Sequence, residues 1–230
     1  MIGLRLVRPW LELALERPLR ALSFAPHRSG FVMTDRILWR EVRNADLHPG
    51  FDAEAWLADE MAARDRQGAV GMMTSRDIGR HFRHDANIEG IAAACVATVG
   101  LGNAETVGRR LAPPASAIGT INIAVVLSSA MTEIAQIEAL TIAAEARTAA
   151  VMESGLRLCN GALATGTGTD CIVIAAPPGT AAAGALRFAG LHTAAGEAIG
   201  RVVRGAVLEG AKDWIRENGG VANGYLPAAG

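Results

Sequence analysis

An α/β fold is what this sequence predicts, a single layered unit in which a mixed β-sheet is packed by helices, with an α+β sandwich as the alternative. Three observations lead there. Apolar, β-branched runs such as Thr120–Leu127 and Cys171–Ala176 alternate with two long helical patterns. The early strands read as a hairpin, which favours a mixed sheet over a purely parallel one. Half of the 230 residues are hydrophobic, enough to bury a substantial core.

The elements follow in order. Leu22–Phe24 and Arg36–Val42 read as strands of a hairpin turning through Pro26–Gly30. Asp52 is placed to cap a helix running to Arg64, with Trp56, Leu57, Glu60 and Met61 at helical spacing. Gly68–Thr74 reads as a short buried strand, and Ser75 as the cap of a short helix ending at His81. Ile88–Val99 and Thr120–Leu127 read as strands. A helix is predicted from about Thr132 to Glu153, with Ile134, Ile137, Thr141, Thr148 and Met152 on one face and Ala139, Ala143, Ala146 and Ala150 on the other. Being small or apolar on both sides, it is expected between layers. After the turn Pro177–Gly184, the last helix starts near Thr193 and carries the stripe Ile199, Val202, Val203, Ala206, Val207, Gly210 and Trp214. No repeat or second domain is visible, so residues 1–230 read as one domain, with a flexible Gly/Ala-rich tail from about Gly219.

Charge narrows the function classes. Lysine plus arginine number 22 against 23 acidic residues, and aromatics are 4%, which gives neither an electrostatic footprint for nucleic acid nor a base-stacking platform. The apolar runs are too short for a bilayer and the N-terminus lacks a clean signal stretch, so no membrane association and a cytoplasmic location are expected. A small-molecule ligand, or an assembly surface for a homo-oligomer, fits this balance. Cys95, Cys159 and Cys171 form neither a disulfide framework nor a zinc pattern. His81 and His84 are three apart but lack a third ligand, and no metal site is assigned.

The chemistry concentrates in Thr165-Gly166-Thr167-Gly168-Thr169-Asp170, which runs into the strand at Cys171. Hydroxyls, closely approachable backbone amides and a carboxylate share one short stretch. Because the run precedes a strand rather than opening a helix, a phosphate cradle is not its default reading. His192, just ahead of the last helix, is either a general base kept neutral by the helix terminus or a capping or surface residue. Glu138 and Glu145 flank the Ile/Thr face of the long helix, where a buried glutamate needs a partner or a task. Asn122 interrupts an apolar strand and Asn103 sits in a loop, each able to knit backbone or to meet a ligand. Residue chemistry alone therefore describes a threonine/asparagine-rich polar site with a few carboxylates and one histidine.

The blocks Val70–Thr74, Val99–Ala104, Gly119–Ile123, Glu145–Ala150, Ala164–Asp170 and Phe188–Glu197, in that order, resemble the adenosylcobinamide amidohydrolase family over about Leu22 to Leu208. The resemblance implies hydrolysis of the amide that joins the aminopropanol arm to a corrin propionate, giving adenosylcobyric acid for cobalamin salvage. A non-catalytic corrinoid-binding or sensing protein on the same fold is the alternative. No cofactor is implied, since cobalt belongs to the corrinoid substrate. Where the family's helix motif usually carries lysine, this chain has Arg147, which keeps the charge but cannot act as a tunable amine.

Under that resemblance, His192 or Glu145 activates a water or a threonine hydroxyl such as Thr167. Amides around Gly166 and Gly168 hold the oxyanion, and Asp170 orients the base or threonine. Asn122, Thr120, Thr165, Thr169 and Asn103 complete the substrate-binding edge. A second route is self-cleavage at Gly119-Thr120 to expose an N-terminal threonine nucleophile.

Overall fold

Period-two alternation of apolar side chains brings the first four strands together. In the computed structural model, which describes residues 2–43, 50, 52–109 and 119–219, β1 (Ile2–Val7) turns back along β2 (Trp10–Ser23). The latter runs antiparallel to β3 (Gly30–Glu41). The expected hairpin is present but far longer, with pairs from Trp10↔Arg40 to Ser23↔Gly30. Leu11, Leu13 and Leu15 are all buried on one face, a strand period disguised by the helix-favouring Leu/Glu/Ala composition around them. A register shift between Ala14 and Leu19 interrupts the β2–β3 ladder.

Helix α1 (Ala53–Ala62) forms where the sequence places it, and Asp52 caps it by accepting from the Ala55 amide at 3.0 Å. Next, β4 (Val70–Thr74) joins β3 in parallel. One expectation fails at this point: residues 75–80 turn instead of forming a capped helix. The strand predicted over Ile88–Val99 forms as β6 (Ile91–Val99), the second half of a hairpin whose first half, β5 (His81–Ile88), the sequence does not signal. Its two turn residues, Glu89 and Gly90, have φ of 49° and 84°. A two-residue hairpin of this hand needs both central residues left-handed, and glutamate gives no sequence signal for that. On a strand, His81 and His84 point to opposite faces rather than sharing a helix face.

The second half of the chain supplies β7 (Ala104–Glu105), β8 (Ile121–Leu127), α2 (Glu133–Glu153), β9 (Gly166–Thr167), β10 (Cys171–Ala176) and α3 (Ala194–Asn218). Thr132 and Thr193 cap the two long helices through their hydroxyls. The main sheet has the order β4-β3-β2-β10-β8-β6-β5, with β1 attached to β2, and β7 pairs with β9 as a separate small ribbon. Antiparallel pairs and the parallel pairs β3–β4 and β8–β10 make the sheet mixed.

Alternation along β6, β8 and β10 builds two cores. Ile121, Ile123, Ile172 and Ile174 face α2 and α3, while Val96, Ala124, Val126 and Val173 face Leu11, Leu13, Ile37 and Trp39. The β1–β4 region thus folds over the face that the helices leave free. His27 and Gly71 exchange backbone hydrogen bonds of 3.3 and 3.1 Å, tying the loop after β2 to β4 without closing a barrel.

The long helix α2 is oriented by its small residues. Ala135, Ala139, Ala143, Ala146 and Ala150 are buried, and Gln136 donates to the carbonyls of Arg20 (2.8 Å) and Ile174 (2.7 Å), docking the helix on β2 and β10. Alanine permits close approach to the sheet. The Ile/Thr face expected between layers instead looks outward, with Ile134 64% and Ile137 50% exposed. Glu138 on that side accepts from the Ala189 amide at 2.7 Å, and Glu145 is exposed.

Candidate active site

A cavity of about 450 Å³ opens where the end of β4 meets the beginnings of β8 and β10. Strand pairing builds its floor. Thr98, Asn122 and Cys171 are cross-strand partners, so their side chains lie in one row on the same face, at the end of the second core. Thr98 is fully buried with its hydroxyl unpartnered, and Asn122 and Cys171 line the cavity. Asn103, Thr120 and Thr169 add a polar edge, while Pro26, Val42 and Met73 contribute apolar wall.

The polar edge is a connected network. The Thr120 hydroxyl contacts the Thr169 carbonyl at 2.7 Å and Asn122 Oδ1 at 3.1 Å. Asn122 Nδ2 donates to the Met73 carbonyl at 2.6 Å, which ties β8 to β4 across the cavity mouth. Thr169 Oγ1 donates to the Gly119 carbonyl at 2.8 Å, and Asn103 Nδ2 lies 3.5 Å from Thr169 Oγ1. Gly119 has no room for a side chain: a Cβ there would stand 2.7 Å from the Gly102 amide nitrogen and 2.8 Å from the Gly100 carbonyl.

The run from Thr165 to Asp170 is divided between this cavity and a second hollow. Thr169 faces the 450 Å³ cavity, whereas Thr165, Gly166 and Thr167 line a cleft of about 250 Å³ with Glu105, Arg147 and Thr148. Thr165 Oγ1 accepts from the Val107 amide at 2.7 Å, so this hydroxyl secures the β7–β9 ribbon. Gly168 packs loosely, its nearest neighbour to a notional Cβ being Asn103 Nδ2 at 3.9 Å.

Asp170 is the hub that joins the two hollows. One carboxylate oxygen accepts from the Ile121 amide at 3.0 Å and from the Thr167 hydroxyl. The other accepts from the Thr167 amide at 3.0 Å and pairs with the Arg147 guanidinium. With four donors on two oxygens, the group anchors structure and orients Thr167. Gly166 makes space for the pair, since a Cβ would lie 2.6 Å from Asp170 Oδ2 and closer still to Arg147. Burial lowers the Arg147 guanidinium from its ordinary value, though it remains a cation. Burial likewise pushes the Cys171 thiol up to about 12, so it is neutral and unreactive at ordinary pH.

Other expected site residues lie elsewhere. His192 is exposed ahead of α3, and Glu145 is exposed on the outer face of α2; neither lines either hollow. His84 pairs with Glu209 at 2.8 Å and His81 contacts the Ile78 carbonyl at 2.8 Å. Among the described residues, no three of histidine, cysteine, aspartate and glutamate converge as metal ligands.

The family model described as adenosylcobinamide amidohydrolase matches residues 4–219. The chain belongs to that family. The adenosylcobinamide amidohydrolase match spans both halves of the sheet and both long helices, and every residue lining the 450 Å³ cavity lies inside it. The chain is also similar to the uncharacterised protein MJ1613 of Methanocaldococcus jannaschii, at 35% identity over 98 residues. That match covers 42% of this chain and spans only 37% of the relative's length. Among solved structures, the PH0078 protein from Pyrococcus horikoshii matches at a TM-score of 0.40 and 10% identity, covering 87% of this chain and 76% of that one.

Sequence reasoning misses Glu54, Thr74 and Ser75, all of which line the cavity. Thr74 closes the block Val70–Thr74, and Glu54 follows the cap Asp52, so both stood beside features already singled out. What was missing was the fold-over that brings β4 and α1 to β8. No helix among the described residues is long and apolar enough to cross a membrane.

Proposed function

We propose that this protein hydrolyses the aminopropanol amide of adenosylcobinamide or a related corrinoid, releasing the amine and adenosylcobyric acid. The observation that carries this reading is the polar edge of the 450 Å³ cavity, where Asn103, Thr120, Asn122 and Thr169 present amide and hydroxyl groups beside apolar wall. Such groups match a secondary amide, which offers one acceptor and one donor. A corrin macrocycle is larger than the cavity, so the side arm enters while the ring rests over Pro26, Val42 and Met73 at the mouth. Family membership supports the amide chemistry.

The roles divide by position. Asn122 and Asn103 hold the amide, and Thr120 and Thr169 fix that edge. Thr165, Gly166, Thr167 and Gly168 shape its support, with Asp170 and Arg147 locking it to α2. Incubation of purified protein with adenosylcobinamide, followed by mass spectrometry, tests the reading. Release of free aminopropanol with adenosylcobyric acid supports it. A shift of the corrin spectrum without amine release would replace it with the binding or sensing alternative.

A further inference from the structure

Amide hydrolysis needs a group that moves protons between the attacking water and the leaving amine. Asp170 is saturated by four donors and the Cys171 thiol is neutral, so neither serves. Among the described residues lining the cavity, Glu54 is the single carboxylate. It lies in the first turn of α1, two residues after the cap Asp52, and is exposed. No hydrogen bond or ion pair with another described residue occupies its carboxylate.

Across the cavity stand groups that can hold an amide but cannot carry its protons. The Asn122 and Asn103 side-chain amides do not titrate, and the hydroxyls of Thr120 and Thr169 are committed to backbone carbonyls. The edge with the two side-chain amides and the lone carboxylate therefore come from different parts of the chain, β8 with the segments leading into β7, β8 and β10 on one side and α1 on the other, and meet only in this cavity.

We infer that Glu54 is the proton carrier of the site, an assignment that rests on the amide-hydrolysis reading above. The Glu54 carboxylate takes a proton from a water molecule as the water oxygen bonds to the amide carbon. The carbonyl electron pair moves onto oxygen, giving a tetrahedral anion held by the opposite edge. When the C–N bond breaks, its electron pair leaves on nitrogen, which receives the proton from Glu54. The products are a carboxylic acid and an amine, and Glu54 returns to its starting state.

Glu54→Gln keeps size and polarity but removes the base. It is expected to lower kcat about 10²–10⁴-fold, while the dissociation constant for adenosylcobinamide, read from the corrin spectrum, stays within about twofold. Glu54→Ala is expected to regain turnover when formate is added, because a small carboxylate fills the vacated position. A structural role would not respond to formate. Full activity in Glu54→Gln, in a sample where the wild type releases aminopropanol, overturns the assignment and leaves the function standing. A wild type that binds adenosylcobinamide without releasing amine overturns both.

Discussion

Replacing Asp170 with asparagine separates an anchoring role from a chemical one. The side chain is 7% exposed and its partner Arg147 is 18% exposed, so the ion pair is largely out of water. Asparagine keeps the shape but puts an NH2 group where one oxygen accepts two donors, and it leaves the Arg147 charge uncompensated. Removing one partner of a buried pair costs about 3–5 kcal/mol, a large share of the 5–15 kcal/mol that holds typical domains together. For a chain of this size each kcal/mol moves Tm by about 2–4 °C, so a fall of about 6–20 °C is expected. Urea and thermal melts followed by circular dichroism measure it. The loss of turnover should track the loss of folded protein and recover at low temperature, where Asp170→Asn is still folded. A variant as stable as wild type would refute the anchoring account. So would one that is fully folded yet inactive, which would place Asp170 in the chemistry itself.

The remaining expectations are more local. Gly119→Ala forces a methyl against two backbone atoms that cannot swing aside, so a loss of about 1–3 kcal/mol is expected in urea melts. Thiol labelling at pH 8 should modify exposed Cys159 and spare Cys95 and Cys171 until the chain unfolds. With its value near 12, about one Cys171 in 10⁴ is thiolate at that pH, and rapid labelling of the native protein would contradict its placement. His192→Ala and Glu145→Gln alter exposed side chains outside both hollows, so stability should change by less than about 0.5 kcal/mol and turnover should stay close to wild type. A large fall in kcat in either would return those residues to the mechanism.

Local signals in the sequence locate the three α-helices, though they also suggest a helix after Ser75 that the chain does not form. Asp52, Thr132 and Thr193 each cap the helix they were expected to open, because a cap is decided within four residues. The strands that apolar density predicts over Gly68–Thr74 and Thr120–Leu127 form over Val70–Thr74 and Ile121–Leu127. The N-terminal strands were not, because Leu11, Leu13 and Leu15 alternate within a composition that also suits a helix. For α2 the sequence predicts cover on both sides, but only the alanine face is buried, because close approach to the sheet selects alanine while the Ile/Thr face stays open. For the site, the polar residues Asn103, Thr120, Asn122 and Thr169 were found by their company of glycines and strands. Glu54, Thr74 and Ser75 were not, because they reach the cavity only through a long-range fold-over that no local pattern encodes.

The placement of β10 has a consequence for how the chain is made. It sits between β2 and β8, yet its residues 171–176 follow β2 by about 150 positions. A ribosome releasing this chain from its N-terminus therefore exposes β2 and β8 as open strand edges before their shared neighbour exists. The floor residue Cys171 and the anchor Asp170 arrive at that same late moment. Assembly of the cavity is thus a post-emergence event, closed by pairing across most of the chain, the kind of topology that folds slowly. Until then the nascent protein offers two unpaired edges to a chaperone or to another nascent copy.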